Sequence, residues 1–469
     1  MLKKNDVIQL RIDAVGSACE GVGRADGMAV FVEQGLPGDL LTARIVKLKK
    51  TYAYAKLLEI LEPSEARVTP ICPAFAQCGG CTLQHCAYPA QTRLKQQTAA
   101  NALERIGRCQ NFTMLDILGA EEPFHYRNKA QFPVKMSDGG PVAGFFAARS
   151  HRVVPIDSCP LQDPVNDEIL RVMKQYIWDT GVTPYDEITH TGLLRHIVTR
   201  VGRAAVDTTV SAAVGTAVDT AVSEVMICLV INGKKIPQPD ALIRRLKSQI
   251  PGMKTLALNE NFERGNAIFG SKTQILDGPG VIYDRIGDLR FAISPGSFYQ
   301  VNAAQTRKLY DTVLTFASLT GRETVLDAYC GIGTIALYLA RHARKVYGVE
   351  ISREAVRDAQ NNAALNGIAN VEFTAGAAEE TAPQLLETGG AAFDLAVVDP
   401  PRKGCNPLLL RSILRTPPRQ LIYVSCDPAT LARDIAILTK GGYCLDKVRP
   451  VDMFPQTCHV ECVANLFYI

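Results

Sequence analysis

The stretch TVLDAYCGIGT, from Thr324 to Thr334, decides the fold of the C-terminal part of the chain. Its apolar beginning, up to Asp327, predicts a buried strand, and a helical pattern begins at Thr334. Between them, Gly331 and Gly333 allow the backbone to approach a ligand closely. A strand, a glycine turn and a helix in this order are typical of the ligand-binding edge of a parallel α/β sheet.

Strands and helices alternate on the C-terminal side of this stretch. We predict strands at Thr324–Asp327, Lys345–Glu350, Phe393–Val398 and Gln420–Ser425, and helices at Thr334–His342 and Arg353–Asn366, the second ended by Gly367. This alternation predicts a mostly parallel sheet with helices on both faces, which is a Rossmann-like domain.

The residues of the glycine turn do not identify the ligand that binds there. Glu350 ends the next strand, where its carboxylate is placed to accept two hydrogen bonds from a ribose diol. Gly331, Gly333 and Ala336 also satisfy the loose dinucleotide fingerprint, with an acid about twenty residues further on. A methyl donor, a nicotinamide cofactor and a turn that binds nothing are all compatible with this pattern.

Two later strand ends carry reactive side chains to the same edge of the sheet. Asp399 opens the sequence Asp-Pro-Pro-Arg-Lys-Gly after one predicted strand, and Cys426 follows another. Asp427 and Pro428 have the pattern of an N-cap and a first helical residue. Cys426 would therefore lie at the positive end of a helix dipole, which lowers the pKa of a thiol.

Glu461 is a second candidate for chemistry, because it lies in the apolar segment Val460–Ala464. Partial burial raises the pKa of a carboxylate, which suits a general base. The alternative is a glutamate on an edge strand without a chemical role.

The N-terminal residues predict a small β-barrel, since apolar and polar side chains alternate between glycine-containing turns. Between Thr42 and Lys56 lie five basic residues and no acid, interleaved with two tyrosines. Basic and aromatic side chains together suit phosphate neutralisation and base stacking. A solvated barrel face is the alternative.

Four cysteines form a candidate metal site. Cys72, Cys78 and Cys81 have the spacing C-x5-C-x2-C, and Cys159 lies before a proline. Four thiolates suit either a structural zinc or an iron–sulfur cluster, and the spacing does not choose between them.

Further along, the near-repeat from Ala204 to Ser223 predicts an expanded hairpin connection without a chemical role.

Length and composition set the broad class. A chain of 469 residues predicts two or three domains, and its formal charge of +4 is too small to indicate a nucleic-acid partner. We find neither a secretory signal nor a membrane span in the sequence, and fourteen cysteines without an export signal predict reduced thiols in the cytoplasm. We expect no membrane association and infer no obligate protein partner.

Several motifs together resemble the RNA uridine-5-methyltransferase family. They are Asp-x-Tyr-Cys-Gly-x-Gly-Thr from Asp327, Asp-Pro-Pro-Arg-Lys-Gly from Asp399, Val-Ser-Cys-Asp-Pro-Ala-Thr-Leu-Ala-Arg-Asp from Val424, His-Val-Glu from His459, Gly-Ser-Phe-Tyr-Gln-Val-Asn from Gly296 and His-Tyr-Arg-Asn-Lys from His125. The resemblance covers nearly the whole chain. The repeat from Ala204 is not part of the family pattern, and Cys462 stands where the family usually has threonine.

The resemblance implies three domains: a TRAM RNA-binding barrel of the OB type (1–62), an α/β middle domain with an iron–sulfur cluster (63–290), and a class I methyltransferase domain (291–469). It also implies site residues. Those implied roles are Cys426 as nucleophile, Glu461 as base, Gln300, Tyr329, Glu350 and Asp399 as contacts of S-adenosylmethionine, and Cys72, Cys78, Cys81 and Cys159 as ligands of a [4Fe-4S] cluster.

By the same resemblance the substrate is a uridine in 23S ribosomal RNA. Two alternatives stay open: the same reaction on the T-loop of transfer RNA, and an RNA-binding assembly factor that has lost catalysis. The presence of Cys426, Glu461 and the glycine turn argues against the second alternative.

Overall fold

The computed structural model describes residues 2–204, 222–388 and 393–469. The chain divides into two compact units, which are not continuous in sequence. The first unit comprises Met1–Ala76, Gly80–Pro123 and Val397–Ile469, and the second comprises Gln77–Gly79 and Phe124–Ala396.

The first unit begins with a closed barrel. Its five strands are β1 (Val7–Val15), β2 (Gly21–Ala25), β3 (Met28–Val32), β4 (Leu40–Leu48) and β5 (Tyr52–Glu62), in the order β1-β2-β3-β5-β4. Alternate side chains such as Leu10, Ile12, Val30 and Ile45 point inward and form its core. The predicted N-terminal barrel is therefore confirmed. After it come α1 (Tyr88–Arg105) and the short β6 (Thr113–Met114).

The second unit contains a seven-stranded sheet of order β13-β12-β11-β10-β7-β8-β9. Its elements are β7 (Lys129–Ser137), β8 (Gly140–Phe146), β9 (Val153–Pro155), α2 (Val165–Thr180), β10 (Leu194–Ala204), β11 (Val222–Ile231), α3 (Pro239–Gln249), β12 (Met253–Glu260) and β13 (Lys272–Asp277). The antiparallel pairing of β10 with β11 extends to Ala204 opposite Val222. This pairing agrees with the predicted hairpin, whose connecting residues 205–221 lie outside the described residues.

The second unit continues with a hairpin and a parallel α/β segment. These elements are β14 (Ile282–Ile286), β15 (Leu289–Ile293), α4 (Ala303–Ala317), β16 (Thr324–Ala328), α5 (Thr334–Ala340), β17 (Lys345–Glu350), α6 (Arg353–Leu365), β18 (Val371–Ala375) and α7 (Ala378–Thr388). Strands β16 and β17 are parallel, as predicted, and β18, a strand that was not predicted from the sequence, lies parallel to β17. Helix α5 ends two residues before the predicted His342, because the chain turns there to bring Lys345 beside Thr324.

The chain passes from the second unit to the first within β19 (Leu395–Val398). The remaining elements of the first unit are α8 (Pro407–Arg415), β20 (Gln420–Ser425), α9 (Pro428–Lys440), β21 (Tyr443–Val451) and β22 (Glu461–Tyr468). β22 lies antiparallel to both β20 and β21, and β21 pairs in parallel with β6. None of the helices in the described part of the chain combines the length and the hydropathy that a membrane span requires.

Candidate active site

Strand register brings Cys426 and Glu461 to the same end of one strand pair. β20 runs antiparallel to β22, and Ser425, the last residue of β20, lies opposite Cys462. The residue that follows Ser425 is therefore next to the residue that precedes Cys462. Cys426 is half-buried and Glu461 is buried, with 3% of its surface exposed. The structure thus brings the predicted nucleophile and the predicted base together.

The backbone around Cys426 is held by the start of α9. Asp427 is the N-cap, and its carboxylate accepts hydrogen bonds of 2.9 Å from the N–H groups of Ala429 and Thr430. On the other side of Cys426, the Ser425 hydroxyl donates to the Asp427 carbonyl at 3.0 Å. The predicted cap and first helical residue are confirmed, and both neighbours of Cys426 have fixed conformations.

The loop from Asp399 to Gly404 is fastened to α9 through Asp434, a role that the sequence alone does not reveal. The Cys405 N–H donates to the Asp434 carboxylate at 2.8 Å, and the buried Tyr423 hydroxyl donates to it at 2.7 Å. Gly404 has a φ of +80°, and a Cβ there would collide with Arg433 and Asp434.

Electrostatic interactions couple the three candidate groups. Burial, and next the Asp399 carboxylate, raise the pKa of Glu461 to about 8, and burial raises the pKa of Asp399 to about 7. Burial and the carboxylates of Glu461 and Asp399 raise the pKa of the Cys426 thiol to about 11. Arg402 acts in the opposite direction on both Cys426 and Glu461.

The expectation of a lowered pKa at Cys426 is therefore wrong for the protein without its substrates. Burial and two neighbouring carboxylates outweigh the helix terminus, because both disfavour a thiolate. The raised pKa of Glu461 agrees with the expectation from its apolar surroundings.

In the second unit, the carboxylate of Glu350 is oriented by backbone donors. One oxygen accepts the Gly331 N–H at 3.2 Å and the other accepts the Ser352 N–H at 2.8 Å. Tyr329 has a φ of +74°, and its N–H donates to the Val349 carbonyl at 3.0 Å. A Cβ added at Gly331 would meet no atom within 4 Å, so the turn faces open space there. Glu350, Tyr329 and the glycine turn thus form one cradle.

Gln300 is held by a neighbouring segment of the second unit. The Asn128 side chain donates to the Gln300 carbonyl at 3.0 Å, and the Asn128 N–H donates to the Val301 carbonyl at 2.9 Å. The buried Arg200 guanidinium donates to the Ser297 carbonyl in the same loop. Two of the quoted motifs, those beginning at His125 and Gly296, are therefore joined by hydrogen bonds.

The four cysteines predicted as metal ligands are each half-buried. In the first unit, the Gln84 side chain donates to the Cys81 sulfur at 3.3 Å and accepts the Cys72 N–H at 3.2 Å. In the second unit, Cys78 forms a β-bridge with Ala147, and the Cys159 carbonyl accepts the Gln162 N–H. Within the described residues, no three His, Cys, Asp or Glu side chains are gathered into a group that would hold a metal ion.

Two family profiles match separate parts of the chain. A family profile described as tRNA (Uracil-5-)-methyltransferase matches residues 281–467, and a TRAM domain profile matches residues 2–58. An uncharacterized RNA methyltransferase of Halalkalibacterium halodurans is 48% identical over 99% of this chain and 98% of its own length. An uncharacterized RNA methyltransferase of Bacillus cereus is 42% identical, with the same coverage of both chains.

A solved structure is similar over nearly the whole chain. The Pyrococcus abyssi tRNA (uracil-54, C5)-methyltransferase, in complex with S-adenosyl-L-homocysteine, superposes with a TM-score of 0.75 and 26% identity. The match covers 98% of this chain and 100% of the other. The N-terminal barrel is thus a TRAM domain, and the C-terminal part is similar to a methyltransferase of known structure.

Proposed function

The chain belongs to the RNA (uracil-5-)-methyltransferase family, and from this premise we propose that it methylates carbon 5 of a uridine in 23S ribosomal RNA. The observation that carries the proposal is the juxtaposition of Cys426 and Glu461 at the ends of β20 and β22, with Asp399 acting on both. A thiol and a buried carboxylate are the two groups that this reaction needs.

Carbon 5 of uracil is too weak a nucleophile to attack a methylsulfonium directly. In the proposed reaction the Cys426 thiolate adds to carbon 6, and the ring becomes an enolate that is nucleophilic at carbon 5. After methyl transfer, Glu461 removes the proton from carbon 5. The electrons of that C–H bond restore the double bond, and the thiolate leaves carbon 6.

The charges on the two carboxylates fit this sequence of steps. Because each of them raises the pKa of the thiol, the resting cysteine keeps its proton. When the thiol adds to the uracil ring, an ionised carboxylate beside it can accept the thiol proton. Asp399 raises the pKa of Glu461, so the two carboxylates disfavour being ionised at the same time.

We assign the binding of S-adenosylmethionine to Gln300, Tyr329, Glu350 and Asp399. The residues fit this group, because the Glu350 carboxylate is oriented by two backbone donors and the turn at Gly331 faces open space. When bound, S-adenosylmethionine supplies an electrophilic methyl group. The carboxylate of Glu350 is suited to accept hydrogen bonds from the ribose hydroxyls.

The TRAM barrel supports binding of structured RNA. The rings of Phe31, Tyr52 and Tyr54 lie with centroids 5.5 to 5.7 Å apart on β3 and β5, and all three are half-buried. Lys49 and Lys50 are exposed in the turn that precedes this aromatic cluster. Such a surface combines phosphate neutralisation with stacking. The target uridine must leave its own stack to reach a half-buried thiol.

A uridine in transfer RNA is the second candidate substrate, because the structurally similar Pyrococcus abyssi protein is a tRNA (uracil-54, C5)-methyltransferase. The TRAM barrel and the four cysteines are the features on which we favour ribosomal RNA. Mapping 5-methyluridine in both RNAs from a strain that lacks this gene distinguishes them. Loss of the modification from 23S ribosomal RNA is the expected result, and loss from transfer RNA alone would contradict it.

We also propose that Cys72, Cys78, Cys81 and Cys159 bind a [4Fe-4S] cluster. Its support is their spacing, the family resemblance and the half-buried position of each of the four side chains. Methyl transfer moves no net electrons, so the group would shape the fold and the RNA-binding surface. We also propose a cytoplasmic location, because cysteines spaced as metal ligands need a compartment in which thiols stay reduced.

A further inference from the structure

A buried polar network joins α1 to the loop that leads into the catalytic strand. This hairpin loop (Asp452–Val460) connects β21 to β22, and Val451 lies opposite Glu461 where it closes. The Lys95 ammonium contacts the Asp452 carboxylate at 2.5 Å and donates to the Phe454 carbonyl at 2.9 Å. The Tyr88 hydroxyl donates to the other oxygen of Asp452 at 2.9 Å.

A second set of contacts holds the same loop at Gln456. The Gln91 amide donates to the Gln456 side chain at 2.9 Å and accepts the Gln456 N–H at 3.0 Å. The Gln456 carbonyl accepts the N–H groups of Thr82 and Leu83, both at 3.0 Å. Gln456 has a φ of +69°, a left-handed conformation that is strained in a residue other than glycine. Such a conformation persists only where the surrounding contacts hold it.

The burial of this network indicates that its role is geometric. Gln91, Lys95, Asp452 and Gln456 are each at most 3% exposed. Apolar side chains of the same shape often stabilise a protein as well as a buried ion pair does. Hydrogen bonds to the backbone differ from apolar packing because they are directional, so each one orients a carbonyl or an N–H group of the loop.

From the network, hydrogen bonds continue toward Glu461. The Thr457 hydroxyl donates to the Phe454 carbonyl at 2.8 Å, and the His459 N–H donates to the Thr457 oxygen at 3.2 Å. Two residues further on, β22 begins at Glu461. A chain of hydrogen bonds therefore runs from Lys95 on α1 through Phe454 and Thr457 to His459, two residues before the base.

We propose that Tyr88, Gln91 and Lys95 are positioning residues for proton abstraction at carbon 5, acting on Glu461 through the hairpin loop. The inference rests on the proposed function, because it requires Glu461 to be the base. A base displaced by about 1 Å loses on the order of a hundredfold in rate. Addition and methyl transfer use Cys426 and the methyl donor, neither of which belongs to the loop, so we expect those steps to continue.

The test is the double substitution Lys95→Met with Asp452→Asn in the full-length chain. The pair removes both charges together, so no lone charge stays buried. Tyr88→Phe, which removes one hydrogen bond to Asp452, is the milder second variant. Unmodified transcripts of 23S ribosomal RNA and of transfer RNA are the probes. Turnover and the fraction of RNA–protein adduct after denaturing electrophoresis are measured together.

We expect turnover of the double variant to fall on the order of a hundredfold while the adduct accumulates, with a smaller change in the same direction for Tyr88→Phe. Arg67→Met with Asp39→Asn removes an ion pair at the edge of the TRAM barrel whose aspartate is as buried as Asp452, and it should accumulate no adduct. Unchanged turnover, or lost turnover without adduct, would overturn the inference. If Glu461→Gln itself forms no adduct, the proposed function fails and the inference falls with it.

Discussion

At Glu461, one carboxylate links catalysis to the pH dependence of folding. Burial and Asp399 raise its pKa from 4.5 to about 8. The folded protein therefore binds more protons than the unfolded chain between about pH 4.5 and 8. The free energy of unfolding therefore falls as the pH rises through this window, because the buried carboxyl group of Glu461 loses its proton.

Glu461→Gln should accordingly stabilise the protein at alkaline pH. Glutamine has nearly the same shape but carries no charge, so it avoids burying a carboxylate. We expect the melting temperature of the variant to exceed that of the natural protein at pH 9 and to match it at pH 5. Glu59→Gln, at an exposed carboxylate on β5, is the control. A variant less stable than the natural protein at pH 9 would show that the carboxylate is stabilised by its surroundings.

Gly404 is a second residue at which one added carbon atom, a Cβ, should affect both stability and activity. Its φ is +80°, and a Cβ would collide with Arg433 and Asp434, the residues that hold the Asp399 loop. Gly404→Ala should destabilise the protein by at least about 1 kcal/mol and lower methylation activity. Gly265→Ala is the matched control, because a Cβ there meets no atom within 4 Å. Urea denaturation that gives equal stabilities for both variants would contradict this explanation.

The motifs indicated which residues are candidates for the site, but they did not indicate the electrostatics of those residues. Cys426 lies before a capped helix, and sequence alone favours a lowered pKa there. Burial is the largest cause of the opposite direction, followed by the carboxylates of Glu461 and Asp399. Glu461 lies beside Cys426 through the pairing of β22 with β20. Such pairing depends on register between segments far apart in sequence.

Among the elements, the turn between β4 and β5 gives the most direct test of RNA binding. Lys49→Ala with Lys50→Ala should weaken RNA binding and leave S-adenosylmethionine binding unchanged. Each lost phosphate contact lowers the slope of log K against log salt by about one unit. Lys234→Ala with Lys235→Ala, an exposed adjacent pair in the turn after β11, is the control. An equal salt slope for both double variants would make the β4–β5 turn an ordinary solvated surface.

Element boundaries followed the sequence where local signals were strong. β17 and β20 have the predicted bounds, because each is a short apolar run that ends in a polar residue at a turn. The buried polar network between α1 and the hairpin loop, in contrast, has no local signal in the sequence. Lys95 and Gln91 resemble a solvated helix face in sequence, and their partners Asp452 and Gln456 are 357 and 365 residues away.

For the whole molecule, the four cysteines provide a compositional test. Anaerobically purified protein should be brown and contain about four iron and four sulfide per chain. Cys159→Ser should lower both contents, whereas Cys444→Ser, at an exposed cysteine, should change neither. Stoichiometric zinc without iron would contradict the iron–sulfur assignment.

The central claim, that Cys426 adds to uracil and Glu461 completes the reaction, predicts two different failures. Cys426→Ala should give neither methylated RNA nor a covalent complex, because no bond to carbon 6 can form. Glu461→Gln should still add and methylate, but it retains the carbon 5 proton, so the thiolate cannot leave. Natural protein with the same RNA and S-adenosylmethionine is the reference for turnover.

The decisive measurement is mass spectrometry of Glu461→Gln after incubation with unmodified RNA and S-adenosylmethionine and separation under denaturing conditions. We predict a stable adduct between Cys426 and a uridine that already carries the methyl group. Normal turnover by Glu461→Gln, or the absence of an adduct while RNA and S-adenosylmethionine still bind, would contradict the assignment of Glu461 as the base.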